Sequence, residues 1–170
     1  MLNGPRILGT LTVLALTIVS PFSAWQQTSG VVCPNSDTAC HSAHSFKPYQ
    51  LPFLIREKLV FGKTYKSAPF YAVVLQSVRN SGSTDCQHIG EEQRLEAQAL
   101  FQDRKVFASR FSCPEELVLY TSVNQEFNFL AVYGGATLAE AKQTLNKAKA
   151  TGRYPEANIR KMQVVVEYST

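Results

Sequence analysis

A chain of 170 residues and 18.9 kDa, with 45% hydrophobic and 18% charged residues, is long enough for one domain and an appendage and too short for a large multidomain enzyme. Its apolar fraction sits near the globular average, which excludes disorder throughout. The net charge of +4, or +3 without a first segment in which Arg6 is the only charge, tolerates a polyanionic partner but does not require one.

Residues 7–19 form an apolar run behind Arg6 and the amino terminus. A membrane-crossing helix needs about 20 such residues, whereas this run has the size of a signal-peptide core. Ala24 offers a small residue for cleavage, although Phe22 is bulky where a signal peptidase prefers something small. The reading is a signal peptide or signal anchor over 1–24, hence export to the periplasm or cell envelope. Tethering to the cytoplasmic membrane follows only if the segment is uncleaved.

Four cysteines in an exported chain point to disulfides before metal. Three pairings are possible. Proximity favours Cys33 with Cys40, which leaves Cys86 with Cys113. A zinc site at Cys33, Cys40, His41 and His44 is the alternative, but the spacing matches no common zinc motif. No metal or other cofactor is expected.

Residues 25–69 are rich in Ser, Gln, Thr, Pro and His without sustained periodicity, and read as a spacer or N-terminal arm. Within them, 50–61 is more apolar and could lay one short element against the domain. From 70 onward the signals sharpen. FYAVVLQS (70–77) is β-branched and aromatic, bounded by Pro69 and a polar loop, and predicts a strand. Residues 91–101 are strong helix formers, with Leu95 and Ala99 expected on the packed face. Residues 105–111 and 117–123 are strand-like. Between them Ser112-Cys113-Pro114-Glu115 has capping-box form and predicts one helical turn. Residues 127–135 predict a strand. Thr137 and Glu140 form a capping box for a helix packing through Leu138, Ala141, Leu145 and Ala148, which Gly152 stops. Residues 162–168 predict the closing strand.

The order β-α-β-(β)-β-α-β predicts an α+β fold of the ferredoxin-like βαββαβ kind: an antiparallel sheet with two helices on one face and the other face bare. In that topology the loop after the first strand and the end of the second lie at the same end of the sheet. A Cys86–Cys113 bridge is then geometrically reasonable.

With these elements placed, residues 70–168 resemble a SPOR domain, the bacterial cell-envelope module that binds peptidoglycan. The likeness is strongest over FNFLAVYGGATLAEAKQTLNKAKATG (127–152), which is similar to the family's aromatic strand, glycine turn and Glu-Ala helix ending in Lys-x-x-Gly. Residues 70–77 resemble its first strand. The resemblance implies a SPOR-like domain over 70–170 that binds glycan strands, with Ser77 at a strand end and Ile159 in the loop before the last strand at the edges of the site. Val74 stands where the family often has Gln, Gln76 where Gly is usual, Val78 where an aromatic is usual and Phe129 where Arg is frequent.

Strand alternation nominates a site independently. Leu130 and Val132 would face the helices, leaving Phe127, Phe129, Ala131 and Tyr133 on the bare face. Tyr71, Val73 and Leu75 would likewise point to the core, leaving Ala72, Val74 and Gln76 outside. Exposed rings suit the C–H faces of sugars, so alternation places the glycan platform at Val74, Gln76, Phe127 and Phe129, while Ser77 and Ile159 join it at its edges only as the resemblance implies. The competing arrangement has 50–61 or 117–123 folding over this face and burying the aromatics. Lys142, Lys147 and Lys149 read as a solvated helix face, while Arg153, Arg160 and Lys161 flank the last strand within reach of a ligand's carboxyl or acetyl groups.

Catalysis has little support in the sequence. It has no nucleophile elbow, zinc-protease motif or phosphate-binding loop. Glu91-Glu92 and Glu115-Glu116 could pair for glycoside hydrolysis, but both sit where a helix dipole favours acids. The expectation is a non-enzymatic envelope protein that binds peptidoglycan glycan strands, placing it at a site of wall remodelling or cell division. The rival reading keeps the fold and gives the apolar-substituted face to an envelope or divisome protein, or to the chain's own N-terminal segment. RNA binding by a sheet with exposed aromatics fits locally, but export and modest charge speak against any nucleic-acid partner.

Overall fold

The computed structural model describes residues 1, 29–35, 39–80, 86–111 and 113–168; the apolar run at 7–19, the cleavage position at Ala24 and Ser112 of the first capping box lie outside the described residues. Among the described residues the fold is α+β, with two helices and two antiparallel sheets. The strands are β1 (Lys63–Lys66), β2 (Phe70–Arg79), β3 (Val106–Ala108), β4 (Val118–Tyr120), β5 (Phe127–Gly135), β6 (Asn158–Met162) and β7 (Val164–Tyr168). The helices are α1 (Glu91–Leu100), between β2 and β3, and α2 (Leu138–Ala150), between β5 and β6.

The larger sheet runs β3-β5-β2-β6 and the smaller β1-β7-β4. Both helices pack on the same face of the larger sheet, where Ala97 and Ala148 join Val73, Leu75, Val106, Leu130 and Val132 in one buried cluster. Alternation assigns the β5 residues as expected, because nothing interrupts the strand between Phe129 and Val132.

Each helix differs in its buried face from the periodicity reading. In α1, Leu95 is 53% exposed, while Arg94 and Ala97 are buried. The Arg94 guanidinium can go inside because it donates to both Glu91 carboxylate oxygens, at 2.9 and 2.6 Å, and to the Val106 carbonyl at 3.3 Å. In α2, Leu138 is exposed and Thr144 takes an inward position, donating to the Glu140 carbonyl at 3.1 Å. The start and stop signals hold. Thr137 accepts from the Glu140 amide, Glu140 returns a bond to the Thr137 amide, and Gly152 follows the Thr151 cap with φ of 69°.

The second sheet carries the principal corrections. The expected closing strand begins earlier, at Asn158, and divides at Gln163: β6 pairs with β2, and β7 leaves to run between β1 and β4. The break is saturated by neighbours, since the Gln163 amide donates to Thr121 Oγ1 (2.9 Å) and the Val164 amide to Ser67 Oγ (2.9 Å). The strand-like stretch 117–123 forms β4, and the helical turn expected after Ser112 is a simple turn in which Glu115 has φ of 60°.

The described part of the expected spacer or arm, residues 29–35 and 39–69, is packed against the domain. Leu51 and Phe53 are 0% and 1% exposed, β1 pairs along β7, and the arm continues onto β3 through Lys105 N to the Pro34 carbonyl (2.7 Å) and Ala108 N to the Tyr49 carbonyl (2.8 Å). Glu116 fastens this arm, accepting from Tyr49 Oη and Gln50 Nε2 at 2.7 Å each and from the Val118 amide at 2.9 Å. Two disulfides, Cys33–Cys40 and Cys86–Cys113, have Cα separations of 5.8 and 4.9 Å. They are consistent with an oxidising compartment.

Candidate functional site

The face expected to be bare is covered. Val74 and Phe129 are 7% and 3% exposed and share a buried cluster with Leu51, Phe53, Val118, Tyr120, Val164 and Val166. The smaller sheet and the arm together form the roof. Tyr120 packs on Phe129 with ring centroids 5.4 Å apart, and Phe107 and Phe111 each lie 6.1 Å from it. Of the two arrangements open to the sequence, both candidate segments fold over the aromatics. The cause is the apolar stripe itself: Phe70, Phe107, Phe129 and Tyr120 bury more ring surface against one another than a solvated sheet could.

One end of the face stays accessible. A groove of about 300 Å³ is lined by Val74, Ser77, Val123, Asn124, Phe127, Phe129, Asn158 and Arg160. It contains four of the six nominated residues. Val74 and Phe129 lie buried beneath it, Ser77 is exposed, and Phe127 is 36% exposed. The Arg79 guanidinium stands 5.8 Å from the centre of the Phe127 ring and 3.5 Å from Glu126.

Gln76 and Ile159 are not in this groove. The β2–β5 register shifts between Val74, opposite Ala131, and Gln76, opposite Leu130. This β-bulge inserts one residue and reverses the alternation beyond it. Ser77, not Gln76, therefore joins the Phe129 face, and Val78 packs with the helix-side cluster. Ile159 lies within β6 instead of a loop and packs against that same cluster.

In their place the groove gains two amides, Asn124 and Asn158, and the Arg160 guanidinium. Asn158 lies opposite Val74 and Arg160 opposite Ala72 in the β2–β6 ladder, so period-2 alternation puts both beside the groove. Arg160 was within reach by sequence. Asn158 was legible only with the strand started four residues sooner, and Asn124 lies in the loop between β4 and β5, outside any strand pattern. Of the other cations, Arg153 is paired to Glu96 at 2.5 Å, Lys147 to Asp103 at 3.5 Å, and Lys161 lies 5.8 Å from the Tyr71 ring centre.

Glu91 and Glu116, one carboxylate of each acidic pair, bond within the fold. Glu91 is held below its ordinary value by the hydrogen bond from Arg94. Glu116 helps raise the Tyr49 hydroxyl, after burial, by accepting its proton in a hydrogen bond. Cys86, His88 and Cys113 offer ligand atoms within 4.8 Å of one another, but the two sulfurs are bonded together. Among the described residues no helix is long and apolar enough to cross a membrane. No protein-family model, curated protein or solved structure matches the chain.

Proposed function

We propose that this is a non-catalytic, exported envelope protein that binds a glycan strand of peptidoglycan at the groove beside Phe127. The helix-bearing sheet is read as a ferredoxin-like unit of SPOR type, on the strength of its β3-β5-β2-β6 order with all neighbours antiparallel. The observation that carries the reading is the groove's chemistry. A half-open phenyl ring is set among a hydroxyl, two amides and a guanidinium, at Ser77, Asn124, Asn158 and Arg160. A ring stacks on sugar C–H groups, while amides and a guanidinium serve hydroxyl and acetamido oxygens. With Val74 and Phe129 roofed over, the contact is one or two sugar units at the strand end, not a chain laid along the sheet.

Co-sedimentation of the oxidised protein with purified sacculi, before and after amidase removal of stem peptides, tests this. Binding that rises on the denuded glycan supports the reading. Absence of binding to both preparations sinks it.

A specific observation favours a second reading. The apolar replacements at Val74 and Phe129 are covered by the chain's own arm and by β4. A family face converted to an internal interface leaves a protein-interaction module whose partner is another envelope protein. Failure to bind either sacculus preparation, together with a stable complex in cross-linked envelopes, is its signature.

A further inference from the structure

At the far edge of the smaller sheet the chain turns through Val60, Phe61, Gly62 and Lys63. Lys63 N donates to the Val60 carbonyl at 3.1 Å, and Gly62 has φ of 77°, as the third position of a type II turn requires. The turn is fastened on two further sides. Gly62 N donates to the Tyr168 carbonyl at 2.7 Å. Tyr65 Oη accepts from Val60 N at 2.8 Å and donates to the Lys58 carbonyl at 3.3 Å. Yet Val60 and Phe61 are 55% and 65% exposed, with Tyr168 beside them at 37%.

Single exposed apolar residues are ordinary; two adjacent ones held outward by a pinned turn are not. Four exposed cations lie in the chain on either side of the turn, Arg56 and Lys58 before it and Lys63 and Lys66 after it, against the carboxylates of Glu57, which bonds Lys63 at 2.7 Å, and of Glu167, opposite Thr64 in the β1–β7 ladder. Val31, 66% exposed, lines with Arg56, Lys63 and Lys66 a neighbouring groove of about 1000 Å³. The chain also enters the fold here: Gly30 N donates to the Lys66 carbonyl at 2.9 Å, and Ala68 N to the Gly30 carbonyl at 2.7 Å. The apolar run ends at Val19, so the connecting residues span at most roughly 35 Å.

We propose that this turn docks on an anionic phospholipid surface. Phe61 and Val60 enter the headgroup–acyl boundary while Arg56, Lys58, Lys63 and Lys66 meet lipid phosphates. An apolar tip flanked in the chain by basic residues matches that surface in both charge and polarity. The site is separate from the groove beside Phe127, so either can fail alone.

The test uses the full oxidised chain carrying Trp25→Phe and Phe61→Trp, which leaves one tryptophan, at the turn. With phosphatidylcholine–phosphatidylglycerol vesicles its emission shifts to the blue and is quenched by brominated acyl chains; with phosphatidylcholine alone both effects weaken. Water-exposed emission from vesicle-bound protein overturns the proposal, as does failure to bind vesicles. A concentration-dependent shift without vesicles means contact between copies and also overturns it. In the otherwise unaltered chain, Val60→Ser with Phe61→Ser lowers partitioning onto the anionic vesicles about tenfold with an unchanged circular dichroism spectrum. Equal partitioning overturns the proposal as well, because residues 1–24 are the same in both proteins.

Discussion

Ser77 lies directly opposite Phe129 in the β2–β5 ladder, and Phe127 lies opposite Arg79. This pairing, reached through the β-bulge at Leu75, gathers a hydroxyl and two rings at the end of a face that is otherwise roofed. It also separates two phenylalanines that the sequence treats as equivalent. Phe129 has become core, whereas Phe127 remains half open.

The two rings should therefore respond differently to truncation. Phe129→Ala removes a ring packed against Phe107, Phe111 and Tyr120, and is expected to cost about 3–5 kcal/mol of stability. Phe127→Ala should cost under about 1.5 kcal/mol while reducing binding to denuded sacculi at least about tenfold. Urea denaturation and co-sedimentation measure both quantities. Equal destabilisation by the two variants would contradict their different burial.

Register makes a second distinction. Asn158→Ala and Arg160→Ala alter groove residues and should each weaken glycan binding roughly five- to tenfold, the range of one lost hydrogen bond. Gln76→Ala, one residue from Ser77 in sequence, should leave binding unchanged, because the bulge turns it towards the other face. Sacculus-binding isotherms of the three variants decide it. A loss in Gln76→Ala equal to that in Asn158→Ala would refute the groove as the site.

The uneven legibility of the sequence has physical causes. Local signals worked where the interaction is local: the Thr137–Glu140 cap, Gly152 at the helix end and the 127–135 strand are specified within a few residues. Signals that depend on partners distant in sequence did not carry. The arm looks like a spacer because its burial is supplied by β3, β4 and β7, and the alternation of its buried Leu51, Phe53 and Ile55 runs over only five positions. Leu95 is apolar yet exposed, and Arg94 charged yet buried, because Glu91 one turn away neutralises the guanidinium. The bulge at Leu75 has no marker such as glycine, so strict alternation misassigned Gln76. Ser77, Phe127 and Arg160 were legible, while Asn158 needed the observed register and Asn124 the placement of the loop before β5.

Acid should expose the Arg94 pairing. Arg94, hydrogen-bonding the Glu91 carboxylate, holds its folded value below the ordinary 4.5, so the pair's contribution is fully present above about pH 4.5 and is lost as pH falls through the lower folded value. Removal of the carboxylate charge leaves a buried guanidinium without a counter-ion. Stability measured by urea denaturation from pH 7 to 3 should fall more steeply in the natural protein than in Glu91→Gln. Superimposable pH profiles would mean the pair does not contribute to acid sensitivity.

The two disulfides close loops of different length, with sequence separations of 7 for Cys33–Cys40 and 27 for Cys86–Cys113. Loop-closure entropy assigns about 2.5 kcal/mol to the first and about 3.5 kcal/mol to the second. The second also anchors the segments that Asn128 joins. This buried amide donates to the Gln87 carbonyl at 2.6 Å, and its oxygen accepts from the Phe111 amide at 2.5 Å. Replacing Cys86 and Cys113 by alanine should thus destabilise more than replacing Cys33 and Cys40, and should loosen the ends of β2 and β5 beside the groove. Urea midpoints give the order of the two costs. Amide exchange at Asn128 and Phe129 tests the coupling: faster exchange is expected in the Cys86→Ala/Cys113→Ala protein and not in the other, and the reverse pattern would assign the groove's support to the arm.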